Sequence, residues 1–205
     1  LLVGAGPFNQ VTRASFHAAI ATAFRSITNK EIGTIAVAIP SDSPLSHESL
    51  VLAVTGGIAQ GCINSGLYKS QQTRFVPELV QLVTSPNGVA VSAEHLHRGF
   101  VEAKAVTFAR ELVNLPPNDL FPESFAARAG ASVKDLNCEI WDEARITSER
   151  LGAVLGVARG SNRPPRFVVM RYQNGGTTPP LALVGKGVTF DSGGLSLKTN
   201  DQMAD

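Results

Sequence analysis

The stretch "GKGVTFDSGG", residues 185–194, has three readings, and the choice among them decides fold and chemistry together. Its last four letters, DSGG, are those around the nucleophile of trypsin-like serine proteases. Its first three, GKG, look like the end of a phosphate-binding loop. The third reading makes Lys186 and Asp191 metal ligands.

The serine-protease reading needs Gly before DSGG and usually Pro after it, where this chain has Phe190 and Leu195. It also needs a catalytic His and Asp in a chain of many short strands with little helix. His17, His47, His95 and His97 are present, but none sits in a suitable local setting. A nucleophile elbow, G-x-S-x-G, would need Gly at 190. The phosphate-loop reading fails on spacing, because G-x-x-x-x-G-K-[ST] needs Gly at 180 and Ser or Thr at 187. Pro180 and Gly187 stand there. A second nucleotide candidate, "LLVGAGPFN" at 1–9, has Gly4 and Gly6 but Asn9 at the third glycine position, with Glu31 as a possible ribose acid. A lone GxG is weak evidence, and a tight strand-to-helix turn is the ordinary reading of it.

The metal reading is physically coherent. Glycines on either side of Lys186 let the backbone pass close to a site. A carboxylate can bridge two divalent ions, and an amine ligates only when neutral, so Lys186 would need its pKa lowered. Read by themselves, however, two lysines and an aspartate such as Lys186, Asp191 and Lys198 are usually a surface ion pair, and spacing alone does not lift the metal reading above that.

The flanking chain narrows the fold. Strands are expected over 1–5, 34–40, 79–84, 138–141, 167–172 and 181–185, and helices over 12–26, 47–67, 92–114, 122–134 and near 146–151. The 92–114 helix has Ser92 as a plausible N-cap. Its apolar residues Val101, Ala105, Phe108 and Leu112 recur at helical spacing, and it stops at "NLPPND" because proline disfavours helix at the residue before it. Strands alternating with helices argue α/β with parallel or mixed sheets. The expected order is an N-terminal α/β domain over 1–91, a linker helix and Pro-Pro break over 92–117, and the start of a mixed-sheet α/β catalytic domain over 118–205.

Composition sets outer bounds. The 205 residues are 43% hydrophobic and 17% charged with net charge +1, and no basic run suggests a nucleic-acid partner. Cys62 and Cys138 form no CxxC site and read as buried free thiols in a reducing compartment. No apolar run approaches the ~18 residues of a membrane span. Beginning on Leu1 and ending on "TNDQMAD", the chain reads as a piece of something longer.

The whole string "LVGKGVTFDSGGLSLK", 183–198, closely resembles the metal-binding signature of the leucine aminopeptidases, also called cytosol aminopeptidases, which are two-metal exopeptidases. "ARELVNLPPNDLFPESFAARA", 109–129, is similar to that family's entry into its catalytic domain. "LGAVLGVARGSNRPPRFVVMRY", 151–172, resembles the glycine-rich segment and strand before the metal lysine. The region before Ser92 is similar only in general pattern.

The resemblance implies that Lys186 ligates one metal, that Asp191 bridges both, and that Lys198 is the catalytic lysine. It implies two divalent ions, Zn2+ or Mn2+, since mixed amine and carboxylate donors suit these better than Ca2+. It implies metal-assisted removal of N-terminal residues, leucine-type preferred, from peptides with a free N-terminus, by a cytoplasmic homohexamer. The family's remaining carboxylate ligands and catalytic arginine belong to motifs beyond residue 205, so this stretch cannot hold the complete site. Thr199 stands where the family commonly has proline. The alternative is a non-catalytic binding or assembly module built on the N-terminal α/β domain.

Overall fold

A computed structural model describes residues 1–63, 68, 70, 71, 73–86, 88, 91–132 and 136–204. The chain divides into two compact units, Leu1–Asn114 and Leu115–Asp205. Both mix helix and strand, so the α/β expectation holds.

In the first unit, α1 (Arg13–Ile27) begins where the Thr12 hydroxyl accepts from the Ser15 N–H at 3.1 Å and the Ser15 hydroxyl accepts from the Thr12 N–H at 2.9 Å. That reciprocal pair satisfies two donors the helix cannot satisfy itself. Strand β1 (Thr34–Ala38) pairs in parallel with β2 (Leu79–Val83), Thr34 opposite Leu79 and Ala38 opposite Val83. Between them runs α2 (His47–Cys62), capped by Ser46, whose hydroxyl accepts from the Ser49 N–H at 3.2 Å. Phe16, Ile39, Leu50, Val51, Ala53 and Val54 form the core. The glycines of α2 serve close packing: a Cβ on Gly57 would stand 2.7 Å from the Ile20 Cβ and 2.8 Å from the His17 carbonyl oxygen of α1. The tail of the expected 47–67 helix, residues 64–67, lies outside the described residues.

Helix α3 (Ala93–Asn114) is capped by Ser92, whose hydroxyl accepts from the His95 N–H at 3.1 Å. It buries Gly99 and Ala103, whereas Val101 remains 54% exposed. The apolar stripe Val101–Ala105–Phe108–Leu112 therefore gives the period of the helix but not its buried face. The small residues decide that face, because they let α3 approach α2.

Residues 1–5 are not a strand. Leu1 and Leu2 are exposed, and nothing among the described residues pairs with their backbone. An apolar run without a neighbouring strand has no ladder to satisfy its N–H and C=O groups.

In the second unit, α4 (Pro122–Ser132) begins with proline at a position where a missing N–H costs nothing. Residues 133 and 134 of the expected helix lie outside the described residues. Strands β3 (Asn137–Trp141) and β4 (Phe167–Arg171) pair antiparallel, with Trp141 opposite Phe167 and their ring centroids 5.1 Å apart. Glu139 opposes Val169, so Arg171 is its diagonal neighbour and an ion-pair partner. Helix α5 (Glu143–Ser148) is capped by the Asp142 carboxylate and buries Ile146; its Arg145 reaches Glu139 at 3.0 Å and lies 4.2 Å above the Trp141 ring centre.

The short helix α6 (Gly152–Ala158) was not expected, because its glycines mask helical periodicity. Conversely, "LALVG" at 181–185 is no strand: Val184 is 97% exposed and no strand among the described residues pairs with it. Nor does any strand among the described residues precede Lys198. A last helix, α7, spans Asn200–Ala204. No helix among the described residues is long and apolar enough to cross a membrane.

Candidate metal centre

Lys186, Asp191 and Lys198 all lie in the exposed, irregular chain between β4 and α7. Two contacts anchor it. Gly187 passes so close to α4 that a Cβ there would stand 2.8 Å from the Phe125 ring. At the other end α7 starts directly after Lys198 and Thr199, where the Thr199 N–H donates to the Gln202 side chain at 3.1 Å.

Between these anchors the chain closes on itself. The Lys198 N–H donates to the Ser192 carbonyl oxygen at 2.9 Å, which joins the two ends of the 192–198 loop. Inside it, the Gly193 N–H donates to Asp191 Oδ1 at 2.9 Å. Lys198 Nζ stands 3.2 Å from Asp191 Oδ2. Gly193 and Gly194 have φ of +92° and +66°, the left-handed region that side chains disfavour. The doubled glycine of DSGG thus suits the backbone conformation at both positions.

Electrostatics follow the geometry. The Gly193 N–H, above all, holds the Asp191 carboxyl below the usual carboxylate range, followed by the Lys198 hydrogen bond and charge, and more weakly by the charge of Lys186. Each of these favours the ionised carboxylate, the form in which such a group can bind a cation. Lys186 shares this neighbourhood but makes no hydrogen bond or ion pair with Asp191. Its backbone carbonyl accepts the Val188 N–H at 3.1 Å.

One amine and one carboxylate fit a divalent cation as part of a donor set, short of the four donors of a closed site. Among the described residues no three His, Cys, Asp or Glu side chains come together as a metal-holding group. A cavity of about 690 Å³ in the second unit, lined by Leu155, Arg159, Ser161 and Arg163, includes none of the three motif residues. Ser192 has no histidine to activate it within 115–205, since that stretch contains none. Sequence reasoning left out Gly193, whose N–H aims the Asp191 carboxylate. The doubled glycine signals the left-handed backbone at 193 and 194 but not the hydrogen bond.

Residues 107–205 match the catalytic domain of the cytosol aminopeptidase family. A probable cytosol aminopeptidase of Rhodopirellula baltica is 38% identical over 207 aligned positions, covering all of this chain and 39% of that protein. A probable cytosol aminopeptidase of Leifsonia xyli subsp. xyli is 38% identical over 190 positions, covering 90% of this chain and 36% of its own length. The chain thus spans about two fifths of the curated relatives it matches. Among solved structures, the bottromycin maturation enzyme BotP in complex with Mn superposes with a TM-score of 0.76 at 32% identity, over 99% of this chain and 43% of BotP. A tomato leucine aminopeptidase mutant superposes with a TM-score of 0.72 at 27% identity, over 87% of this chain and 37% of that one. With the fold and the sequence of the 183–198 loop in agreement, residues 107–205 belong to the catalytic domain of the cytosol aminopeptidase family.

Proposed function

We propose that the protein, at its full encoded length, is a metal-dependent aminopeptidase that releases N-terminal residues, leucine-type preferred, from peptides. The observation that carries this reading is the closed loop that fixes Asp191 and Lys198 against each other within a family-matched segment. The similarity to BotP in its complex with Mn supports a metal requirement.

In this reading Lys186 and Asp191 are two ligands of a pair of divalent ions, Zn2+ or Mn2+, and further donors come from outside residues 1–205. When bound, the ions supply Lewis-acid polarisation of the scissile carbonyl. The chain's own residues do the rest. Asp191 presents a carboxylate oriented by the Gly193 N–H. Lys198 keeps a compact ammonium at the loop closure, where it meets negative charge developing on the substrate oxygen. One such donor contributes about 3 kcal/mol to lowering the barrier. Peptides with a free N-terminus are the partners, and family resemblance supports a cytoplasmic homohexamer.

The test is hydrolysis of a leucyl anilide by the full-length protein, before and after chelation. Activity should vanish with the chelator and return with Mn2+ or Zn2+, and an N-acetylated substrate should be inert. Hydrolysis that survives complete metal removal, or that ignores N-acetylation, contradicts the reading.

A further inference from the structure

We propose that Gly193 is a positioning residue for this site, setting the Asp191 carboxylate and the Lys198 ammonium in one fixed relation. The loop that does this is closed by the chain's own backbone. The link to catalysis rests on the aminopeptidase reading; the geometric claim does not.

Three observations converge on this residue. Its N–H holds Asp191 Oδ1 at 2.9 Å, which leaves Oδ2 to face Lys198 at 3.2 Å. Its φ of +92° is one an L side chain rarely adopts. A Cβ at 193 would also collide with the Ser196 carbonyl oxygen and stand 2.9 Å from the Lys198 backbone nitrogen. These obstacles are backbone atoms, so no side chain can swing away to relieve them. The only relief is to open the loop, which breaks the Lys198 N–H to Ser192 C=O bond and moves Lys198 off Asp191.

The neighbouring glycine supplies a control. Gly194 also has positive φ, +66°, but a Cβ there meets nothing within 4 Å. Asparagine tolerates that conformation. Two adjacent glycines of one motif therefore carry opposite expectations: 193 is needed for space and 194 only for conformation.

The test compares Gly193→Ala and Gly194→Asn in the full-length protein, with three readouts. The first is Mn2+ affinity by calorimetry, where loss of an outer partner to a ligating group costs 10–100-fold. Gly193→Ala should show that loss, with kcat reduced more than KM, while Gly194→Asn stays within a few-fold of wild type. The second is the rate of Lys198 acetylation in metal-free protein, read by peptide mass spectrometry against Lys186. It should rise in Gly193→Ala alone. The third needs no glycine variant, so it stands even if Gly193→Ala misfolds: the Gly193 amide should exchange slowly with solvent deuterium in the metal-free wild type and faster in Asp191→Ala. Equal metal affinity and equal Lys198 reactivity in the two glycine variants would overturn the proposal, as would an unprotected Gly193 amide in wild type. If the wild type neither binds Mn2+ nor hydrolyses peptides, the functional reading fails. Lys198 acetylation and Gly193 exchange then still decide the positioning claim.

Discussion

Lys198 Nζ and Asp191 Oδ2 form an ion pair at 3.2 Å, while the other oxygen of that carboxylate is held by the Gly193 N–H. A cation bound through this carboxylate, as the proposed function requires, would share it with the ammonium. Asp191 is 62% exposed and Lys198 35%, so the pair is well solvated and its attraction is screened by water and salt. It can hold the carboxylate in readiness but cannot shut out a divalent ion. Lys198→Met removes the competing charge and keeps much of the side-chain bulk. We expect Mn2+ affinity of the full-length protein to be unchanged or up to about fivefold tighter. A clear loss of affinity, measured by calorimetry, would mean that Lys198 helps to hold the metal.

Residues 1–205 alone should show no aminopeptidase activity. The motif supplies one amine and one carboxylate, and no three His, Cys, Asp or Glu side chains come together among the described residues. Two donors do not hold two ions against water. Steady, metal-dependent release of leucine from a leucyl amide by the purified stretch would contradict this.

Glu139 should make the second unit sensitive to acid. Hydrogen bonds from Arg171 and Trp141, with the charges of Arg171 and Arg145, lower its pKa from an ordinary 4.5 to about 2. A carboxyl whose folded pKa is depressed stabilises the fold fully above its unfolded pKa and loses that contribution as pH falls through the folded value. The loss therefore falls between about pH 4.5 and pH 2. Urea midpoints measured across that window should fall less steeply for Glu139→Gln than for wild type. Parallel slopes would show that the pairs with Arg171 and Arg145 contribute nothing to folding.

Gly57→Ala should destabilise the first unit. The added methyl meets the His17 carbonyl oxygen at 2.8 Å and the Ile20 Cβ at 2.7 Å, so α1 and α2 must separate. Overpacking of this kind costs about 1–3 kcal/mol and outweighs the better helix propensity of alanine. A thermal midpoint equal to or above wild type would show that the two helices can yield.

The start of α3 was legible because Ser92 is a capping residue in front of a periodic run, and it caps; Thr12 and Ser46 cap α1 and α2 in the same way but were not singled out in the sequence. Strands β1 and β2 were legible as β-branched runs of the right length. "LLVGA" and "LALVG" have the same composition and failed, because a strand is a relationship with a partner that composition does not contain. The buried face of α3 was missed for a related reason: Gly99 and Ala103 are buried by being small, which a search for large apolar residues passes over. At the site, residue types and spacing left Lys186, Asp191 and Lys198 readable as a surface ion pair, and only the resemblance of the whole string 183–198 to a known signature assigned them to a metal site. The hydrogen bond that orients Asp191 comes from a backbone N–H, and every residue but proline has one.

The most direct test of the account separates Asp191 from Lys198 in the full-length protein, by elemental analysis beside steady-state kinetics. Asp191→Ala should lower both metal content and rate, because that carboxylate is assigned to hold the ions. Lys198→Ala should keep its metals and lose on the order of 10²–10³ in kcat, because the ammonium is assigned to charge that exists only during reaction. Lys198→Arg should also be poor, since a planar fork does not replace a compact ammonium. A Lys198→Ala variant with normal kcat, or one as depleted of metal as Asp191→Ala, contradicts the roles given to both residues.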